Sequence, residues 1–376
     1  MKLHFRQRGV EEKITLLTFL PNLVRVELSK CSNLKHLPSL SKLRYLKSLS
    51  LNFLEKLEYM EDTTHETAAH TFFPSLEHLK LSYMDDLKGW WKREEVNYNV
   101  WQPSFIKLTM LEVYSCRKLA SFPTCPRLEK LRLYGVNIEF QMSLGKEEGL
   151  TKLREVQIDN LDYLKSISTE SLTSLYICGN IELESFSELG ETIFKSCFSL
   201  RSLIIKGCSR LRSLNGGGWE HLTFLESLQL SQMPKLTFSG RGWDTDDDDD
   251  DDEMLWRSLK GSLRSLVVSE LEIKTLPKGM RYLTSLQNFE LRGCWNLECL
   301  PEWINCLSSL RSLRINFCPR LTSLPSQVRD LASLQLLQVR KCPLVAEIFQ
   351  DLDGDDWLNL RHISTVDIHA DEMYEY

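Results

Sequence analysis

The sequence lacks most of the features that announce a chemistry. No apolar run approaches the roughly 20 residues that a membrane-crossing helix needs. The start, MKLHFRQRGVEEK, is basic and then charged, without the apolar stretch and small-residue cleavage site of a secretory signal. No asparagine stands in N-x-[ST], so no glycosylation acceptor argues for a secreted chain. The eleven cysteines contain no C-x-x-C pair and no histidine at zinc spacing, which speaks against disulfides and metal alike. There is no G-x-x-x-x-G-K-[ST] phosphate loop; the nearest Gly-Lys, Gly145-Lys146, lacks the flanking glycine and the Ser or Thr. Eight histidines are scattered, none beside a Ser or Cys in a nucleophile context. The expectation is a non-enzyme with no catalytic residues, no metal ligands and no cofactor.

Charge narrows the partners. The net charge is −6, and Asp244, Asp246 through Asp252 and Glu253 supply nine negative charges, leaving +3 on the rest. A near-neutral body does not fit a nucleic-acid binder, and nothing points to a membrane. The Asp246–Asp252 run reads first as a solvated, disordered insertion, because like charges repel and extend the chain. A clasp onto Arg311, Arg314 and Arg340 is the alternative, and it would be salt-sensitive. Calcium fits poorly: Asp351, Asp353 and Asp355 imitate the start of an EF-hand loop, but Asp356 sits where Gly is required and His362 where Glu is required.

What the sequence does have is a repeat. The stretch LTSLQNFELRGCWNLECLP superposes without a gap on LSSLRSLRINFCPRLTSLP at an offset of 24 residues. Leu283 falls on Leu307, Leu286 on Leu310, Phe289 on Leu313, Leu291 on Ile315, Cys294 on Cys318 and Pro301 on Pro325. A third copy carries Leu331, Leu334, Leu337, Val339 and Cys342. The pattern L-x-x-L-x-L-x-x-C/N-x-x-L is that of a leucine-rich repeat. One short strand and its return cannot bury an apolar face alone, so copies stack around one continuous core.

Traced along the chain, the pattern recurs about thirteen times. We divide the sequence into a lead-in (1–19), a solenoid (20–344) interrupted at 61–71, 91–104, 137–149 and 239–258, and a C-terminal cap and tail (345–376) in which Trp357, Ile363 and Val366 cover the last core. The expected fold is an α/β-repeat, horseshoe-like solenoid with a parallel concave sheet and a convex side of loop and 3-10 turns. Six cysteines (Cys31, Cys116, Cys208, Cys294, Cys318, Cys342) share one repeat position, where a Cys or Asn turns inward under the loop and acts as a small buried hydrophobe.

Residues between the inward leucines face out of the sheet. The candidate binding residues on that face are Lys80, Tyr83, Glu112, Tyr114, Arg132, Tyr134, Tyr176, Gln229, Glu290, Arg292, Arg314, Asn316, Phe317, Gln338 and Arg340; aromatics and Arg are the types that anchor protein interfaces. Trp90, Trp91 and Trp101 form either local core on the convex side or an exposed partner patch.

The repeats with C-x-x-L-x-x-L-P, the tail CP…GDDW…HI (Cys342-Pro343, Asp355-Asp356-Trp357) and the phrase DLKGWW (Asp86 to Trp91) resemble the C-terminal leucine-rich domain of plant intracellular immune receptors of the coiled-coil, nucleotide-binding class. The resemblance covers essentially the whole chain. It implies recognition of a pathogen effector or a host guardee protein, autoinhibition of an upstream nucleotide-binding domain in cis or in trans, and a cytoplasmic or nucleo-cytoplasmic location. That upstream domain's phosphate loop is not in this sequence. The alternative is a stand-alone adaptor or scaffold, such as a substrate-recognition module of a ubiquitin ligase; no F-box precedes Leu20.

Overall fold

The structure is a computed structural model that describes residues 2–5, 20, 22–37, 40, 43–62, 73–92, 104–144, 150–180, 182–186, 189–237, 250–349 and 360–369. The chain divides into two compact units, Met1–Leu172 and Thr173–Tyr376. Each is a stack of leucine-rich repeats on a parallel sheet.

In the first unit the strands are β1 (Lys2–Phe5), β2 (Arg25–Ser29), β3 (Ser48–Asn52), β4 (Tyr59–Asp62), β5 (His78–Ser82), β6 (Gly89–Lys92), β7 (Met110–Tyr114), β8 (Lys130–Tyr134) and β9 (Glu155–Ile158). The main sheet runs β1-β2-β3-β5-β7-β8-β9, and β4 with β6 forms a separate two-stranded sheet. In the second unit, β10 (Ser174–Cys178), β11 (Ser202–Lys206), β12 (Ser227–Ser231), β13 (Ser265–Ser269), β14 (Asn288–Arg292), β15 (Ser312–Asn316), β16 (Leu336–Arg340) and β17 (Thr365–His369) follow one another in sequence order. β1 comes from the lead-in and β17 from the tail, so each unit's main sheet holds one strand beyond those read from leucine spacing.

Alternation explains each strand. In β7, Leu111 and Val113 are fully buried; in β15, Leu313 and Ile315 are. The residues between them point the other way. One more regularity closes the turn. The residue after the strand has positive φ in β2, β3, β5, β7, β8 and β10 through β16, from Lys30 (φ 59) and Phe53 (φ 55) to Gly293 (φ 63), Phe317 (φ 59) and Lys341 (φ 56). Its N–H extends the ladder, as in Lys30 to Asn52 O (3.0 Å) and Phe317 to Arg340 O (3.0 Å). The chain then turns inward, and the next residue is the cysteine of the shared repeat position or its substitute. All six such cysteines are buried, at 5% exposure or less, and each thiol donates to the carbonyl two residues back, for example Cys116 Sγ to Tyr114 O at 3.5 Å and Cys342 Sγ to Arg340 O at 3.4 Å. Asn180 fills the same place differently: its Oδ1 accepts from Glu182 N (3.0 Å) and Leu183 N (2.9 Å).

The return segments are short. Single 3-10 turns span Lys278–Tyr282, Glu302–Cys306 and Ser326–Asp330, each led by the proline of the repeat's Leu-Pro: Pro277 (φ −64), Pro301 (φ −73) and Pro325 (φ −67). The ring fixes the φ that the turn's entry requires. Among the described residues there are also four short α-helices: α1 (Ile138–Leu144), α2 (Leu189–Phe194), α3 (Asp250–Ser258) and α4 (Pro343–Ile348).

Two of these helices lie within stretches that the sequence sets apart as interruptions. The link at 137–149 contains α1, whose Phe140 and Leu144 are fully buried. The interruption at 239–258 is not all solvated loop. Asp250–Asp252 form the first turn of α3, whose Leu255 (3% exposed) and Trp256 (0%) enter the core. Asp244 and Asp246–Asp249 lie outside the described residues, as does Trp357. Glu61, Asp62, Trp91 and Lys92, also assigned to interruptions, belong to the β4–β6 sheet.

Candidate protein-interaction surface

Strand register sets side chains from successive repeats in rows. In the first unit the central row on the solvent face is Glu27, Ser50, Lys80, Glu112, Arg132 and Gln157. In the second it is Tyr176, Ile204, Gln229, Val267, Glu290, Arg314, Gln338 and Asp367. Tyr114 and Tyr134 pair in the row beside the first; Arg292, Asn316 and Arg340 lie in the row beside the second.

Glu112 is the anchor of the first unit's face. Only 5% of it is exposed. His78 Nε2 lies 2.7 Å from its Oε1, the Tyr114 hydroxyl donates to Oε2 at 2.9 Å, and Arg132 Nη1 approaches Oε2 at 3.4 Å. Burial pushes the carboxyl upward, but the bonds from His78 and Tyr114 and the Arg132 charge outweigh it and hold the pKa at about 2. Burial and the same bond push the Tyr114 phenol up to about 12. Arg132 also reaches Glu155 Oε1 (3.3 Å), and Lys130 holds Glu155 Oε2 (2.8 Å). Glu112 and Arg132 are thus committed to the protein itself.

Aromatic rings lie along one side of this network. Phe53 and Tyr83 stack at 4.7 Å with a 7° interplanar angle, and Tyr114 and Tyr134 at 5.3 Å with 14°. The Lys80 ammonium sits 5.4 Å from the Tyr114 ring centroid.

In the second unit Asp367 has the equivalent role. It accepts from Gln338 Nε2 (2.9 Å) and Arg340 Nε (2.9 Å), and Arg340 Nη2 lies 2.7 Å away. Lys341 Nζ covers the Phe317 ring at 4.4 Å. Gln229 Nε2 donates to Ser231 Oγ at 3.1 Å. Burial, together with neighbouring Cys178, raises the Tyr176 phenol to about 12. Arg292, Arg314 and Glu290 form no ion pair among the described residues; Arg292 is exposed, and Arg314 and Asn316 are half-buried.

Sequence reading missed the participants that close these networks: His78, Lys130 and Glu155 in the first unit, and Lys341, Asp367 and His369, whose Nε2 lies 3.0 Å from Asp367 Oδ1, in the second. Asp367 and His369 were detectable, since Leu360, Ile363, Val366 and Ile368 keep the repeat spacing with Ile and Val in place of Leu. The tryptophan cluster divides. Trp90 is core, 2% exposed, with its Nε1 donating to Ser121 O at 2.9 Å and its ring edge-on to Phe105. This removes it from an exposed patch. Trp91 lies in β6, and Trp101 falls outside the described residues.

All eleven cysteines are free. Burial raises Cys116 to about 12 and Cys208 to about 11, which keeps both thiols protonated and inert. Among the described residues no cluster of His, Cys, Asp and Glu could hold a metal ion, and no helix is long and apolar enough to cross a membrane.

No protein-family model matches the sequence, and a search of curated proteins found no match. Solved structures resemble it. TLR13 in complex with ssRNA13 aligns at 19% identity over 92% of this chain and 55% of that one, with a TM-score of 0.50. An internalin (inlF) from Listeria monocytogenes aligns at 16% identity over 93% of this chain and 75% of that one, TM-score 0.43. The Drosophila Toll–Spätzle complex gives 18% identity, 86% and 33% coverage, and TM-score 0.40. The chain thus spans 55% of the length of TLR13, and the likeness speaks to the leucine-rich-repeat fold alone.

Proposed function

We propose that this chain is a protein-recognition module that binds its partner on the solvent face of its parallel strands, and that it serves effector detection and autoinhibition in a plant intracellular immune receptor. The observation that carries the binding role is the pair Arg292 and Arg314. Both stand on rigid, fully paired strands, both face solvent, and neither has an ion-pair partner among the described residues. Arginine held in this way is a strong interface anchor. The plant setting rests on the resemblance carried by the repeats and by Cys342-Pro343 and Asp355-Asp356-Trp357.

The partners in this reading are a pathogen effector or a host guardee protein on one side and a nucleotide-binding domain on the other. A ligand that binds the released state better than the inhibited one shifts the population toward activation. The test is Arg292→Glu with Arg314→Glu in a receptor that contains this chain. Neither side chain supports the fold, so the expected result is an intact protein with a lost ligand response or a constitutive one. An unchanged response and unchanged inhibition would overturn the reading. Recovery of a ubiquitin-ligase subunit as the bound partner would move it to an adaptor role.

A further inference from the structure

The side of the first unit's sheet face that lies past the Glu112 network carries four aromatic rings on four neighbouring strands: Phe53 after β3, Tyr83 after β5, Tyr114 on β7 and Tyr134 on β8. Their arrangement is complementary. Where the large ring sits just past the strand, the strand's last residue is small or polar (Asn52, Ser82). Where the ring ends the strand, the following residue is small (Ser115, Gly135). Two stacked pairs result, and Phe53 and Tyr83 keep 39% and 49% of their surface in solvent. Such exposure of large rings on a rigid frame leaves apolar area for a partner.

The charges around the strip select the partner. Lys30 follows β2 and its N–H pairs with Asn52 O, which places it beside Phe53. Lys80 lies over Tyr114. Neither lysine has an ion-pair partner among the described residues. The face's carboxylates are already engaged: Glu112 and Glu155 as described, Asp159 by the Gly135 N–H at 2.7 Å, and Glu27 as well. On the rows of the sheet face, then, the strip shows unmatched positive charge, while the exposed Glu55 and Asp85 stand in the turns beyond the rings.

We infer that the strip Phe53–Tyr83–Tyr114–Tyr134 docks an acidic protein segment with interspersed aromatic or large apolar side chains, its rings stacking on the strip and its carboxylates meeting Lys30 and Lys80. This rests on the sheet face being the binding face and names the chemistry of what one part of it takes. A basic segment would bring like charge to both lysines. An alanine-rich acidic segment would leave the rings uncovered.

The test uses the full chain and fluorescence anisotropy with labelled peptides of about twelve residues. One alternates Asp or Glu with Phe, Trp and Leu, a second has Lys for every acid, and a third has Ala for every large side chain; an oligouridylate of similar length is the fourth probe. The acidic–aromatic peptide should bind at least about tenfold more tightly than the others and weaken as salt rises. Phe53→Asn with Tyr83→Asn should cut its binding about tenfold or more, and so should Lys30→Glu with Lys80→Glu. Asn tolerates the left-handed backbone at positions 53 and 83, so the variant should stay folded, with its circular dichroism and cooperative thermal transition retained. Equal binding of the basic peptide, preference for the oligouridylate, or undiminished binding by both double variants would overturn the inference. Binding lost in Arg292→Glu with Arg314→Glu but kept in the ring variants would overturn the strip and leave the sheet-face reading standing. Binding unaffected by any of the three double variants would overturn both.

Discussion

Replacing Glu112 by Gln should remove a pH-dependent share of the first unit's stability. The carboxyl sits at about 2 instead of its ordinary 4.5, because bonds from His78 and Tyr114 and the Arg132 charge exceed the cost of burial. Each tenfold change in proton affinity is worth about 1.4 kcal/mol, so the full depression contributes roughly 3 kcal/mol. His78 and Arg132 remain about a third exposed, at 34% and 30% of their side chains, and solvent screens them. We therefore expect about 2 kcal/mol in practice. The sign follows from the direction of the shift. A depressed carboxyl stabilises fully above pH 4.5 and loses its contribution as pH falls toward 2. The gap between the wild-type protein and Glu112→Gln should therefore be widest near neutrality, narrow below pH 4.5 and close near pH 2. Amide hydrogen exchange of β7 and β8 across that range reads the local gap without assuming that the whole repeat array unfolds at once. A gap below about 0.5 kcal/mol at neutral pH, or one of the same size at every pH, would refute the argument that ionic partners set this carboxyl.

Three further outcomes are expected. Trp256→Ala, at the buried end of α3, should cost about 3–5 kcal/mol in urea unfolding. Gly293→Ala should cost about 1–2 kcal/mol, because φ is +63° and a new Cβ would come within 3.2 Å of Glu270 Cγ; unchanged thermal stability would refute the strained-turn account. Brief alkylation of the native protein with iodoacetamide, followed by peptide mapping, should label exposed Cys299 and Cys306 and spare Cys116 and Cys208, whose thiols burial holds protonated; labelling of all four at similar rates would contradict that.

The architecture was legible because the repeat imposes it. Leucine spacing located every strand from β2 to β16 that belongs to a main sheet, and the shared cysteine position marked where the chain turns inward. The two end strands were less visible for a compositional reason. In β17 the inward residues are Val366 and Ile368 rather than leucines, and the offset from β16 is 29 residues instead of 24. α3 was hidden for another. Its first turn is acidic, so local charge argued for extended chain, but burial of Leu255 and Trp256 favours the helix. Tertiary burial overrode a local signal.

The binding face was legible only as a set of positions. Spacing identifies which side chains point outward but not which are consumed within the protein. That depends on what stands at the same height one strand away, and uneven returns make this separation irregular. Glu112 meets His78 across 34 residues and Arg132 across 20, and Arg340 meets Asp367 across 27. A fixed 24-residue offset finds none of these. Glu112, a candidate partner contact by its position, is instead an internal anchor at 5% exposure. Arg292 and Arg314 lie in the regular stretch, where the offset does hold, and register alone sets Glu290 beside Arg314. Even there no ion pair forms among the described residues. An outward charge becomes a binding candidate only once its neighbours in the ladder have failed to pair it, and by that criterion the second unit offers Arg292 and Arg314, while the first offers Lys30 and Lys80 beside the exposed Phe53 and Tyr83.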